Sequence, residues 1–138
     1  MSRFVLDASV ALAWVVDRNP DPYAELVRQR IRSGFKPLIP ALWQLEVANT
    51  LSLVRRRKVL TEDEVEEGLD YMHTFATTVA EIESSSLTVR EAFRLSVEAS
   101  LSAYDAVYFE IARRENLPLA TLDKTLRAAA TKAGIPAI

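Results

Sequence analysis

The sequence predicts an α/β fold, a three-layer α/β/α sandwich built on a mainly parallel central sheet. Short apolar runs alternate with longer stretches of helical period. Caps and Pro/Gly breaks fall between them, as βαβ units require. The 138 residues, 49% apolar and 26% charged, suit one domain spanning 1–138. A chain this long buries roughly two thirds of its unfolded surface, enough for a core without staples.

Residues 3–7 (RFVLD) read as a short buried strand, and Ser9 to Val16 as a short helix. Asp21-Pro22 is a cap followed by proline at the first helical position, and Gly34 stops that helix. Residues 37–39 form the second strand, and Pro40 starts a helix running to about Lys58. Thr61 with Glu64 and Thr88 with Glu91 are capping boxes for two further helices. Between them, VAEIE at 79–83 alternates apolar and acidic residues, as a half-exposed strand would. Ser102 with Asp105 caps a helix to about Arg114, and 117–121 (LPLAT) is a buried strand. Asp123 caps the last helix, Gly134 ends it, and IPAI supplies an edge strand. In such a fold, ligands bind beyond the carboxyl ends of the strands.

Composition removes whole classes of chemistry. There is no Cys, so disulfides, thiolate nucleophiles and zinc–cysteine sites are excluded. The single His, His73, excludes any site needing two, and it reads as a surface or partly buried helix residue. Three Gly, at 34, 68 and 134, cannot make a glycine-rich phosphate loop. The apolar run 4–16 is too short to span a bilayer and is interrupted by Asp7, so the expectation is a cytoplasmic protein without a membrane role.

Four acids stand apart from the rest. Asp7 is the only charged residue between Phe4 and Val16, Glu46 between Pro37 and Val54, and Asp105 between Ala99 and Phe109. Asp123 ends the apolar run that starts at Leu117. A carboxylate among apolar neighbours is costly to desolvate unless a cap, an Arg or a metal compensates it. Asp7, Asp105 and Asp123 could each serve as or support helix caps. Glu46, about two turns inside its helix, is too deep for capping, which leaves a buried Glu–Arg pair or a ligand role.

The fold reading brings the four to one edge. Asp7 and Asp123 follow strands, while Glu46 and Asp105 lie early in helices that begin at the same edge. Four crowded carboxylates repel one another, and a hard cation such as Mg²⁺ relieves that repulsion while leaving room for water and substrate phosphate. Hydrolysis of a phosphodiester is the matching chemistry. Ser9, Asn49 and Thr121 sit at spacings that suit them to support these acids. Trp14, Trp43, Tyr104 and Tyr108 read as core or interface.

The formal charge is −2; without the four acids it is 17 − 15 = +2. Arg28, Arg30, Arg32 and Lys36, and the run Arg55 to Lys58, either line a groove for a phosphate backbone or balance helix dipoles.

The stretches VLDASVAL, EVANTL, SAYDAVYFEIA, LPLATLDKTLRAAA and AGIP, in this order and spacing, resemble the PIN-domain family, specifically VapC-like ribonuclease toxins of toxin–antitoxin pairs. The resemblance implies a Mg²⁺- or Mn²⁺-dependent endoribonuclease, a homodimer, and a cognate VapB-like antitoxin. It implies Asp7, Glu46, Asp105 and Asp123 as the acidic metal-binding quartet, and matches Thr121 to a hydroxyl residue two positions before the last acid. Lys124 stands where some members carry a further acid. Two other readings compete: a phosphoacceptor signalling domain and a catalytically silent PIN-like binding module. The first needs an acceptor Asp after a central strand and a Lys after a later one, and SSSL after 79–83 supplies neither.

Overall fold

The computed structural model describes residues 2–138. Four strands, β1 (Arg3–Leu6), β2 (Lys36–Ile39), β3 (Glu81–Ile82) and β4 (Leu119–Ala120), form one parallel sheet in the order β3-β2-β1-β4. Seven α-helices connect them: α1 (Ala8–Val16), α2 (Pro22–Arg32), α3 (Leu42–Arg56), α4 (Glu62–Thr74), α5 (Val89–Ala99), α6 (Ala103–Glu115) and α7 (Lys124–Lys132). α1 packs on α2 and α3, and α3 on α4, while α6 packs on β1, β4, α5 and α7. Two helical layers thus sandwich the sheet, as expected. From β1 the chain steps outward to β2 and β3, then returns to place β4 on the other side of β1. That reversal puts the ligand-binding crevice of an open parallel sheet beyond the carboxyl ends of β1 and β4.

The core follows from the apolar runs. Phe4, Val5 and Leu6 of β1 and Leu38 and Ile39 of β2 are fully buried. Trp14 and Trp43 meet over Phe75, edge-on at 5.5 Å and stacked at 5.8 Å between ring centroids. Tyr108 is fully buried too, so three of the four expected aromatics are core. The fourth, Tyr104, is 68% exposed: it lies in the first turn of α6, on the solvent side. His73 is exposed.

Helix punctuation follows the sequence closely. Asp21 caps α2 through the N–H of Tyr23, Thr61 and Glu64 make a complete capping box, and Thr88 and Ser102 accept from the N–H groups three residues on. Gly34 and Gly134 follow α2 and α7 at φ of 112° and 77°, a region other residues enter at a cost.

Some boundaries differ from expectation. α1 begins at Ala8, and α3 at Leu42, so Glu46 lies one turn into its helix rather than two. The helix before β3 ends in a π-helical turn at Phe75–Val79, where Thr77 and Thr78 hydroxyls bond back to the carbonyls of His73 and Thr74. Val79 therefore belongs to that turn, and only Glu81 and Ile82 pair with β2, both exposed at the sheet edge. β4 shrinks to two residues, and the terminal edge strand to one parallel bridge between Ala137 and Leu119. Short strands at the margins of a small sheet retain only the pairs that neighbouring backbone can reach.

Candidate functional site

The carboxyl ends of β1 and β4 are tied together through Asp7. Its backbone N–H donates to the carbonyl of Ala120 at 3.0 Å. Its side chain does not cap α1, although the backbone of Asp7 occupies the capping position. Instead, Oδ2 accepts from the hydroxyls of Ser9 and Thr121, both at 2.7 Å. Each hydroxyl accepts a backbone N–H in turn, Ser9 from Leu122 at 3.0 Å and Thr121 from Asp123 at 2.9 Å. One carboxylate thus organises both loops.

Asp123 does cap α7, its Oδ1 accepting from the N–H of Leu126 at 2.9 Å and leaving Oδ2 without such a bond. Asp105 lies at the third position of α6, with its N–H held by Ser102. Glu46 accepts from the phenol of Tyr108 through Oε1 at 2.5 Å. No ion pair among the described residues involves Asp7, Glu46, Asp105 or Asp123, so the buried Glu–Arg pairing considered for Glu46 is absent.

Asp7, Glu46 and Asp105 each feel the charge of a neighbouring acid. Burial pushes Asp7 above the usual carboxylate range, against the donated hydroxyls, and the charge of Asp123 adds to it. Burial likewise raises Glu46, with Asp7 and Asp105 adding repulsion and the Tyr108 phenol opposing it. Asp105 is pushed up to about 6 by burial, then by the charges of Asp7 and Asp123. Burial and the carboxylates of Asp7 and Glu46 push Tyr108 well above its ordinary range, so its phenol stays protonated as a donor.

Of the supporting residues expected from sequence, Ser9 and Thr121 are engaged as described. Asn49 is exposed one turn beyond Glu46 and makes no hydrogen bond among the described residues. Two contributors escaped sequence reading. Tyr108, one turn after Asp105 on the same helix face, holds Glu46. Arg127 donates to the carbonyl of Thr121 and lies over the Tyr23 ring at 4.7 Å, bracing the β4 loop from outside.

The donor set suits a hard divalent cation: oxygen ligands only, negatively charged, without a competing Arg or Lys. As the side chains stand, no group of three His, Cys, Asp or Glu among the described residues is arranged to hold an ion. No helix of the described residues is long and apolar enough to cross a membrane.

The model of the PIN domain family matches residues 4–132, and the chain belongs to that family. It is 29% identical over 124 residues to Ribonuclease VapC3 of Pyrobaculum aerophilum, covering 90% of this chain and 92% of that protein. Its fold matches the crystal structure of PAE2754 from Pyrobaculum aerophilum with a TM-score of 0.66 at 21% identity, over 93% of this chain and 84% of that one. It also matches VapBC2 from Rickettsia felis, solved bound to a DNA fragment from its promoter, with a TM-score of 0.62 at 16% identity, over 91% of this chain and 92% of that one.

Proposed function

We propose that the protein is a metal-dependent endoribonuclease, the toxin of a toxin–antitoxin pair, which hydrolyses RNA phosphodiester bonds through Asp7, Glu46, Asp105 and Asp123 with Mg²⁺, or Mn²⁺ in its place. The observation that supports the reading is that burial and neighbouring acidic charge raise Asp7, Glu46 and Asp105 together, with no ion pair at any of these or at Asp123 among the described residues. Family membership and the name of the Pyrobaculum relative support the same activity.

Each residue has a definable task. Asp7 would offer the cation Oδ1 while Ser9 and Thr121 fix its other oxygen. Glu46 would offer Oε2 while Tyr108 fixes Oε1, and Asp123 would offer Oδ2 beyond its cap. Asp105, raised to about 6, completes the negative charge from α6. A bound divalent ion supplies a nucleophilic water at neutral pH and offsets charge developing on the phosphate. The expected products carry 5′-phosphate and 3′-hydroxyl ends.

We extend the proposal to the partners. A cognate VapB-like antitoxin would silence the toxin by presenting an Arg or Lys to the acids, since guanidinium is shaped for paired carboxylate contact. The protein would act in the cytoplasm as a homodimer. Support for the dimer is the exposed apolar surface of Leu69 and Tyr71 on α4 and of Val89, Phe93 and Val97, spaced four apart on α5. A catalytically silent PIN-like module would share the spread of acids seen here, and one assay separates the two. Purified protein should cut a mixed RNA substrate with Mg²⁺, stop with EDTA, and lose activity in Asp7→Asn. Cleavage that persists in EDTA and in the variant overturns the metal-site reading, and no cleavage with either metal favours the silent module.

A further inference from the structure

A cleft of about 590 Å³ runs between the end of α5, the outer side of α6 and the length of α7. Leu95 and Phe109 contribute to its floor, Arg113, Lys124 and Lys132 carry its positive charge, and Glu98 is its only carboxylate. Its formal charge is 3 − 1 = +2, in a chain whose total is −2. None of the three cations joins an ion pair among the described residues, and the Arg113 guanidinium lies over the Phe109 ring at 5.1 Å.

The cleft begins where the acidic site ends. Lys124 is the first residue of α7, directly after Asp123, and Lys132 is the last. At 1.5 Å per residue the two positions stand about 12 Å apart along the helix, which leads away from the sheet edge. A nuclease with a carboxylate cluster and net negative charge repels the polyanion it must cut. Cations placed next to the cluster are what overcomes that repulsion.

We propose that this cleft seats the sugar–phosphate backbone of single-stranded RNA next to the bond being cut. The proposal rests on the ribonuclease reading above and names how its substrate is held. A volume in the range of small-ligand pockets has room for a nucleotide or two of one strand. The apolar floor accepts sugar and base faces, and the spaced cations meet successive phosphates. An acidic peptide is the competing occupant. It fits less well, because a peptide that also covers the carboxylates must reverse its charge within one helical turn, whereas the backbone of RNA is uniformly anionic.

The test compares Lys124→Gln/Lys132→Gln with a charge-matched control, Arg90→Gln/Arg94→Gln, two exposed residues of α5. Fluorescence anisotropy with a short unstructured oligoribonucleotide in EDTA reads binding without cleavage. The lysine pair should weaken binding about tenfold and make the slope of log affinity against log salt shallower by about 1.4, from ~0.7 per lost phosphate contact. The control should match the wild type, and both variants should melt with the wild type. Equal affinities and slopes in the two variants overturn the proposal. So does retained RNA affinity with loss of a bound protein partner, which assigns the cleft to a peptide. Cleavage is read separately in Mg²⁺: a wild type that binds RNA through these lysines without cutting it overturns the enzymatic reading and not the cleft.

Discussion

The hydroxyl of Thr121 donates to the carboxylate of Asp7 at 2.7 Å, joining residues 114 positions apart, and the same oxygen accepts the N–H of Asp123. A buried carboxylate is tolerable here because hydroxyls, not a cation, solvate one of its oxygens. Thr121→Val keeps the volume and removes the donor. Hydrogen bonds to charged groups contribute about 1.5–3 kcal/mol, so urea unfolding at neutral pH should show a loss in that range. An unchanged midpoint would show that the hydroxyl carries no such weight.

Tyr108 and Glu46 form a second hydroxyl–carboxylate pair, between α6 and α3. Tyr108→Phe should cost about 1.5–3 kcal/mol at neutral pH, because the bond lost is again one to a carboxylate. Its distinctive effect is on titration. The phenol holds the Glu46 carboxyl down against burial and repulsion, so its loss moves Glu46 further up. The acidic limb of the pH–activity profile should shift to higher pH, which a purely structural defect would not produce.

How much of this was visible in the sequence depends on where each signal resides. The caps at Asp21, Thr61, Ser102 and Asp123 are local chemistry, and each falls where its residue type and spacing placed it. Asp7 and Asp123 were legible because strand ends are marked by apolar runs that stop at an acid. Tyr108 was legible only as core, since an aromatic in an apolar pattern shows its ring and not what its hydroxyl meets. The π-helical turn at Phe75–Val79 has no local signature: Phe75 is drawn inward onto Trp14 and Trp43, which lie in other helices. β3 and β4 are shorter than the stretches 79–83 and 117–121 because strand length is set by the neighbours available to pair, a property of the assembled sheet.

Acidification should stabilise the metal-free protein. A carboxyl raised to about 6 in the fold, against an ordinary value near 4, binds protons more tightly folded than unfolded between those limits. Stability from this group is therefore present at low pH and is lost as pH rises through about 6. In EDTA the melting temperature of the wild type relative to Asp105→Asn should fall between pH 5 and pH 7. A difference independent of pH would show that Asp105 titrates as an ordinary surface acid.

Asp7→Asn and Glu46→Gln separate a metal-binding role from a structural one. Asn can still accept from Ser9 and Thr121 through its carbonyl oxygen, and Gln can still accept from Tyr108, so the local hydrogen bonds survive. What each swap removes is one negative charge, buried at Asp7 and half-buried at Glu46, that pairs with no cation among the described residues. Repulsion and desolvation then fall together, and the melting temperature in EDTA should hold or rise. With Mg²⁺ present, cleavage should drop by about a hundredfold or more, since weakening even the groups that orient metal ligands costs ten- to a hundredfold. The stabilisation that Mg²⁺ confers on the wild type should shrink in both variants, because a ligand stabilises only in proportion to how tightly the fold binds it. Had either acid been paired with a buried Arg, the swap would cost about 3–5 kcal/mol and lower the melting temperature sharply. A sharp drop in EDTA, with cleavage retained by the folded fraction, would overturn the assignment of Asp7 and Glu46 to the metal.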